Sequence, residues 1–304
     1  MPQKILITGA TGLVGRKLIP ELQQLGHEIV ILSRKNNKIK DVKTFIWDVY
    51  AQKIDANCFD GVTTIIHLAG EGIADKRWTT ERKQQIIDSR VHSTELLYQT
   101  IKETNSSIKS FVSASAVGFY GDRGDEILTE DSASGNDFLS DCCVKWENAV
   151  DEGLKMDIRV AKIRIGLILS KEGGALAAME KPVKFFVGAP LGSGKQWMPW
   201  IHLDDILRIF IKAVEDQEMI GAYNACAPFP VTNKLLTKSI ARQLNRPIWP
   251  VNVPKFALNV LLGEMSILPL MSNNTLSKKI LNTGYKFAYT NLDDALAAIY
   301  TPNP

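Results

Sequence analysis

The stretch Lys4-Ile5-Leu6-Ile7-Thr8-Gly9-Ala10-Thr11-Gly12-Leu13-Val14-Gly15 decides the fold. A β-prone apolar run ends at Thr8, a helical pattern begins at Val14, and three glycines spaced GxxGxxG fill the turn. Each glycine has a physical reason to be there if the turn holds a dinucleotide. Gly9 permits the sharp reversal, Gly12 lets the backbone approach a pyrophosphate without a Cβ in the way, and Gly15 lets the helix pack closely on the strand. The N–H groups of Thr11, Leu13 and Val14, with the positive end of the helix dipole, then meet the phosphates. A glycine triplet alone is a weak signal. Its place after a strand and before a helix is the context that strengthens it.

Outward from this loop, short apolar runs alternate with helical patterns. Strands are expected at 4–8, 28–33, 44–47, 63–68, 110–114 and 158–165, and helices at 13–25, 80–104 and 138–153. That alternation implies an α/β, Rossmann-type doubly wound parallel sheet with right-handed crossovers. Runs that are apolar throughout fit a sheet covered on both faces. After Ser170 the pattern changes, with Gly173, Gly174, Gly188, Pro190, Gly192 and Gly194 as punctuation. A helix at 204–214 and a strand at 222–225 return to the sheet, and the chain from Val231 onward reads as mostly helical. The expected organisation is a Rossmann domain of residues 1–170 and about 203–228. A smaller, interleaved, mostly helical substrate lobe of residues 171–202 and 229–304 completes it.

The composition is that of an ordinary globular protein, 45% hydrophobic and 23% charged over 304 residues. A net charge of +3 argues for neither nucleic acid nor a membrane surface as partner. No secretory signal and no apolar run of about 18 residues is read. The four cysteines form neither a disulfide framework nor a zinc pattern, so no metal is expected and a reducing cytoplasm is the simplest location.

The strand at 28–33 ends Leu32-Ser33-Arg34-Lys35, without the carboxylate that would bind a ribose 2′-hydroxyl. Ser33 and Arg34 suit a 2′-phosphate instead, through charge-assisted hydrogen bonds, which points to NADP(H). A solvated surface arginine is the alternative for Arg34. Asp48 follows the third strand, as an adenine-edge acceptor or a loop cap. His67-Leu68-Ala69-Gly70 follows the fourth, where the small residues let the chain pass beside a cofactor; His67 itself reads equally as a buried, hydrogen-bonded histidine.

With these pieces in order, the chain resembles an extended short-chain dehydrogenase/reductase, the group that includes nucleotide-sugar epimerases. The resemblance rests on the glycine loop, His67–Gly70, Ser113-Ala114-Ser115-Ala116-Val117-Gly118-Phe119-Tyr120-Gly121 and Trp200-Ile201-His202-Leu203-Asp204-Asp205. Within that group it is similar to an atypical "epimerase family" branch, marked here by Arg77-Trp78, Ser89-Arg90 and Gly192-x-Gly-x-Gln-Trp. The tail, residues 253–289 within a module of about 249–296, resembles a small C-terminal module of unassigned role. The resemblance implies about seven parallel strands and a site at their carboxyl ends, in the cleft against the smaller lobe.

It also implies a Ser or Thr and a Tyr-x-x-x-Lys helix, and here the sequence departs. On the helix Phe138-Leu139-Ser140-Asp141-Cys142-Cys143-Val144-Lys145, Lys145 stands for the lysine, which puts Asp141 at the tyrosine. An aspartate is a poor acid for an alkoxide, and an i,i+4 surface ion pair is the competing reading. The serine position falls on Ser115 or on Ala116. Tyr120 is a nearby phenol. Arg90 lies where relatives place a polar residue facing the nicotinamide, with a helix-surface role as its alternative. Cys142 and Cys143 read better as buried thiols than as nucleophiles, and Asp204 as a helix N-cap better than as part of a metal site.

The sequence therefore points to an NADP(H)-binding oxidoreductase or epimerase-like enzyme acting on an unidentified small molecule. Ser115, Lys145 and Asp141 are the catalytic candidates. A non-catalytic NADP(H) sensor ranks second and a nucleotide-sugar epimerase third. Relatives pair through two long helices, which implies a homodimer through 80–104 and 138–153.

Overall fold

The computed structural model describes residues 1–36 and 39–301. Eight strands form the central sheet: β1 (Lys4–Thr8), β2 (Glu28–Ser33), β3 (Lys43–Asp48), β4 (Lys53–Ile54), β5 (Thr64–His67), β6 (Ser110–Ala116), β7 (Arg159–Ile165) and β8 (Gly221–Ala225). Their order across the sheet is β8-β7-β6-β5-β1-β2-β3-β4. Seven run parallel, and β4 closes the far edge antiparallel to β3. Strand order reverses between β1 and β5, which creates a crevice at their carboxyl ends.

Among the described residues ten α-helices follow in chain order: α1 (Leu13–Gln24), α2 (Thr80–Glu103), α3 (Phe138–Asp151), α4 (Ala175–Lys184), α5 (Leu203–Glu215), α6 (Asn233–Gln243), α7 (Lys255–Leu262), α8 (Ile267–Leu270), α9 (Lys278–Asn282) and α10 (Leu292–Tyr300). Helix α1 packs with α5, and α2 packs with α3. Between these layers the apolar β1 residues Ile5, Leu6 and Ile7 lose all contact with water. A core strand buried on both faces has no polar face to show, which is why these runs lack alternation.

The smaller lobe has its own buried cluster, built from α4, α6, α10 and residues such as Met198 and Trp200. It interleaves with the sheet: Leu167–Leu169, continuing β7, pairs in parallel with Trp200–His202 just before α5. Not all of the C-terminal chain belongs to it. Ile280 and Tyr285 are buried in the larger core together with Ile5, and Phe287 packs against it.

One short strand adds to the expected set, and one expectation is corrected. Strand β4 has no strong apolar signal; it forms because Lys53 and Ile54 fold back on Asp48 and Trp47. Asp204 is not the N-cap of α5. His202 holds that position, accepting the Asp204 N–H on Nδ1 at 3.1 Å, and Asp204 sits in the first turn.

Candidate functional site

The glycine loop adopts the geometry its spacing suggests, and its three glycines answer to different constraints. Gly9 has φ +67°, and a Cβ there would lie 2.6 Å from the carbonyl carbon of Leu68. A Cβ on Gly15 would lie 2.6 Å from the Gly9 carbonyl oxygen. At Gly12 the conflict is milder, 3.2 Å from that same oxygen. The protein's own packing demands Gly9 and Gly15, whereas Gly12, the N-cap of α1, leaves space a Cβ would fill. Helix α1 has no side-chain cap and no acidic residue in its first turn. By contrast α2, α3, α6 and α10 are capped by Thr79, Asp137, Thr232 and Asn291. An open first turn above a bare backbone is what an anion needs.

Thr8 ties this loop to the end of β5. Its Oγ1 accepts the Leu68 and Ala69 N–H groups at 3.2 Å each and lies 2.8 Å from Nδ1 of His67. With its lone pairs so used, the hydroxyl proton goes to Nδ1. That leaves the His67 proton on Nε2, facing the Ser93 and Thr94 hydroxyls at 3.2 and 3.3 Å. Burial holds this imidazole neutral, its pKa lowered to about 3, with the nearby Arg90 charge adding to the effect. His67 is thus a structural core histidine.

On the β2 side Arg34 is largely exposed and donates to Glu71 Oε1 at 3.0 Å. Ser33 Oγ accepts the Lys35 N–H at 3.4 Å. Asp48 Oδ1 accepts the N–H groups of Tyr50 and Ala51, both at 3.0 Å, and so caps the turn into β4. Past β5, the loop beginning at Gly70 is held from α2. Buried Arg82 donates to Glu71 Oε2 at 3.1 Å and to the Gly72 carbonyl at 2.7 Å. Its hydrogen bond pulls the Glu71 carboxyl below the usual range. Arg90 donates to the carbonyls of Ile86 and Glu71 at 2.8 and 3.1 Å, and its guanidinium lies 5.1 Å above the Trp146 ring. A Cβ on Gly70 would come 3.0 Å from the Arg90 Cζ, so Gly70 makes room for this arginine. The loop backbone, Arg90 and the glycine turn all border the crevice at the β1–β5 switch.

The catalytic candidates do not come together. Asp141 and Lys145 pair at 2.8 Å, each half exposed, and Lys145 lines an outward groove between α2 and α3 with Gln84, Asp88 and Glu95. Two residues along a helix turn through about 200°, and the face of α3 toward β6 instead carries Leu139, Cys143 and Glu147. Leu139 and Cys143 lie against Gly118, on the turn that follows β6. Burial pushes both Cys142 and Cys143 thiols up, and all four cysteines are free and buried.

Ser115 is buried and donates to Glu147 Oε1 at 2.7 Å. Glu147 in turn receives Arg164 Nε and Nη2, both at 2.8 Å. Burial opposes the charge on Glu147, but the Arg164 bonds prevail and its pKa falls below the usual range. Arg164 also donates to the Tyr120 hydroxyl at 2.9 Å, and Tyr120 donates to Asn224 Oδ1 at 2.7 Å. Burial drives the Tyr120 phenol up to about 12. Ser115, Glu147, Arg164, Tyr120 and Asn224 therefore form one closed network, and the phenol is committed within it. Glu147 and Arg164 escaped the sequence reading, although two cations in an apolar strand, Lys162 and Arg164, demand buried carboxylates. Glu71 and Arg82 escaped it for want of any local pattern.

One buried carboxylate ties residues 285–289 to the start of α5. Asp205, fully buried, accepts the Tyr285 phenol at 2.9 Å and the N–H groups of Ala288 and Tyr289 at 2.8 and 3.1 Å. Tyr289 stacks on His202 at 4.0 Å between ring centroids. Asp205 is thus a docking point for the tail. No group of three or more metal-ligating side chains exists among the described residues.

Residues 5–138 match the NAD dependent epimerase/dehydratase family, and residues 253–299 match a domain of unknown function, DUF1731. The chain is 38% identical over 301 residues to the chloroplastic epimerase family protein SDR39U1 homolog of Arabidopsis thaliana, covering 97% of this chain and 86% of that one. It superimposes on human epimerase family protein SDR39U1 (isoform 2), solved with NADPH, with a TM-score of 0.85 at 27% identity, covering 98% of this chain and 99% of that one. A nucleoside-diphosphate sugar epimerase from Corynebacterium glutamicum superimposes with a TM-score of 0.81 at 36% identity; 99% of this chain is covered, but only 58% of that one.

Proposed function

This chain belongs to the epimerase family, with an NAD dependent epimerase/dehydratase domain and a C-terminal DUF1731 domain, and from that premise we propose that it binds NADP(H) and acts as an oxidoreductase or epimerase-like enzyme on a small molecule. The observation that carries this reading is the uncapped α1 N-terminus above Gly12, with Arg34 at the end of β2. A human relative solved with NADPH supports it.

In this reading the pyrophosphate rests on the N–H groups from Thr11 to Val14, over Gly12. Arg34 and Ser33 take the 2′-phosphate; Arg34 turns from Glu71, which keeps Arg82 as partner. Asp48 stays near the adenine end as a turn cap. Leu68, Ala69, Gly70 and Arg90 form the wall beside the nicotinamide. The cofactor supplies a hydride donor or acceptor. On the protein side, the Ser115 proton is committed to Glu147, so this hydroxyl offers substrate only an acceptor. Asp141 and Lys145 lie on the outer face of α3. The substrate proton accordingly exchanges with solvent and not with a tyrosine–lysine pair.

That closed network favours a second reading, a nucleotide sensor that binds without turnover. Calorimetric titration separates the possibilities. Wild-type protein should prefer NADPH over NADH, and Arg34→Ala should lose the preference; no binding of either nucleotide would sink both readings. Turnover of any carbonyl substrate with NADPH then selects the enzyme. Different affinities for NADPH and NADP⁺ with no turnover select the sensor. Four free, buried cysteines, none paired with another, support a reducing compartment, and we place the protein in the cytoplasm. No helix among the described residues is long and apolar enough to cross a membrane.

A further inference from the structure

The small net charge conceals an uneven distribution. Residues 181–202 and 229–263, less than a fifth of the chain, hold eight Lys and Arg and no Asp or Glu. The same two stretches carry ten of the eighteen large apolar side chains that lie exposed among the described residues.

The two stretches meet in space. Trp249 donates its backbone N–H to Gly188 and its indole N–H to the Phe186 carbonyl, at 2.8 and 2.9 Å. The Arg246 guanidinium lies 4.6 Å above the Phe186 ring. Phe185, Phe186, Val187, Trp249 and Val251 stand more than half exposed around this junction. Reciprocal backbone bonds of 2.8 Å, from Val253 to Pro190 and from Gly192 to Val253, lead the chain into α7. There Phe256, Val260 and Leu261 are 71%, 74% and 70% exposed, and Leu258 is the one fully buried residue of the helix. Positions i and i+4 share a helix face, so Phe256 and Val260 stand one above the other, with Leu261 further round the helix. Lys255 and Arg246 are exposed beside them.

Apolar surface of this kind marks an interaction site. The chemistry of its surroundings names the occupant, and we propose that this face docks the protein on an anionic phospholipid bilayer. Phe, Trp, Val and Leu side chains enter the boundary between headgroups and acyl chains, while Lys and Arg meet the lipid phosphates. Nucleic acid would satisfy the cations but leave Val251, Val260 and Leu261 in water. A second copy would set one cation-rich stretch against another: Lys184 and Arg242 are paired, with Glu180 and Asp293, but Arg246 and Lys255 beside the exposed apolar residues would meet their own copies and repel. The sequence reading set membranes aside on net charge and the lack of a spanning segment. Neither bears on a local surface patch.

The test is flotation with vesicles of phosphatidylcholine alone and of phosphatidylcholine with phosphatidylglycerol. Wild-type protein should float with the anionic vesicles only, and less so as salt rises. The exposed variant Phe256→Ser/Val260→Ser/Leu261→Ser should lose flotation. Arg246→Glu/Lys255→Glu should lower partition at least about 25-fold, each cation near such a surface being worth roughly fivefold. All three proteins should unfold at the same temperature; should the serine variant not fold, the charge reversal decides. Wild-type protein that floats with neither vesicle, or variants that float as well as wild type, would overturn the proposal. So would variants that abolish a dimer or a shift of an oligonucleotide in a protein that never floats.

Discussion

The Thr8 hydroxyl meets Nδ1 of His67 across 2.8 Å and fixes the tautomer of an imidazole that burial keeps neutral. A ring whose Nδ1 must accept, and whose Nε2 faces two hydroxyls that both donate to the Arg90 carbonyl, has no place for a second proton. Its pKa of about 3 in the folded protein lies below the unfolded value near 6.5. The stabilisation is therefore complete above pH 6.5 and lost as pH falls from 6.5 toward 3. The loss is about 1.4 kcal/mol per pH unit in that window, or about 2 kcal/mol between pH 6.5 and pH 5. Urea denaturation of wild type and His67→Gln at both pH values should show this drop in wild type and its absence in the variant.

The loop glycines should separate folding from binding. Gly15→Ala drives a methyl into the Gly9 carbonyl and should lower stability by about 1–3 kcal/mol. Gly12→Ala meets protein less severely and should lower stability by no more than about 1 kcal/mol. Gly12→Ala should nevertheless weaken NADPH binding at least tenfold in calorimetry. Equal binding by Gly12→Ala and wild type would remove Gly12 from the phosphate site.

Two ion pairs on α3 should behave as opposites. Lys145→Ala breaks an exposed pair and should change stability by less than about 1 kcal/mol, with NADPH affinity unchanged. Glu147→Gln leaves the Arg164 charge buried without its partner and should cost about 3–5 kcal/mol. Thermal unfolding of both variants checks the contrast, and a Lys145→Ala protein that lost turnover or binding would return Lys145 to the site.

Residues 285–289 should depend on the Asp205 anchor. Tyr285→Phe removes a buried hydroxyl that donates at Asp205 and should cost about 1–3 kcal/mol. Amide exchange should then quicken in residues 285–289 before it quickens in β1. Uniform exchange across both segments would mean that the tail is not a separate unit.

How legible the protein is in its sequence depends on how local each signal is. The turn from β1 to α1 is written in consecutive residues, so Gly9, Gly12 and Gly15 could be read directly, as could the alternation that gives a parallel sheet. Strand β6 runs two residues past its expected end because Ser115, a polar residue in the run, is buried by its bond to Glu147, thirty-two positions away. The rotation of α3 is set by the same Glu147 meeting Arg164, and nothing within the helix announces it. Hence Asp141 and Lys145 read from spacing alone either as a catalytic pair or as a surface ion pair, and the structure shows the ion pair. The Glu71–Arg82 contact joins a loop to the first turn of α2, and its two partners follow no periodicity.

Tyr285 and Ile280 belong to the same buried cluster as Ile5. A ribosome makes Ile5 long before Tyr285, so a part made early is finished by a part made late. Until residue 285 has cleared the exit tunnel, Asp205 lacks its phenol and α5 a portion of its cover. The nascent sheet must wait in an incomplete state through the synthesis of the whole second lobe. Termination before residue 285 would then damage β1 as much as the tail.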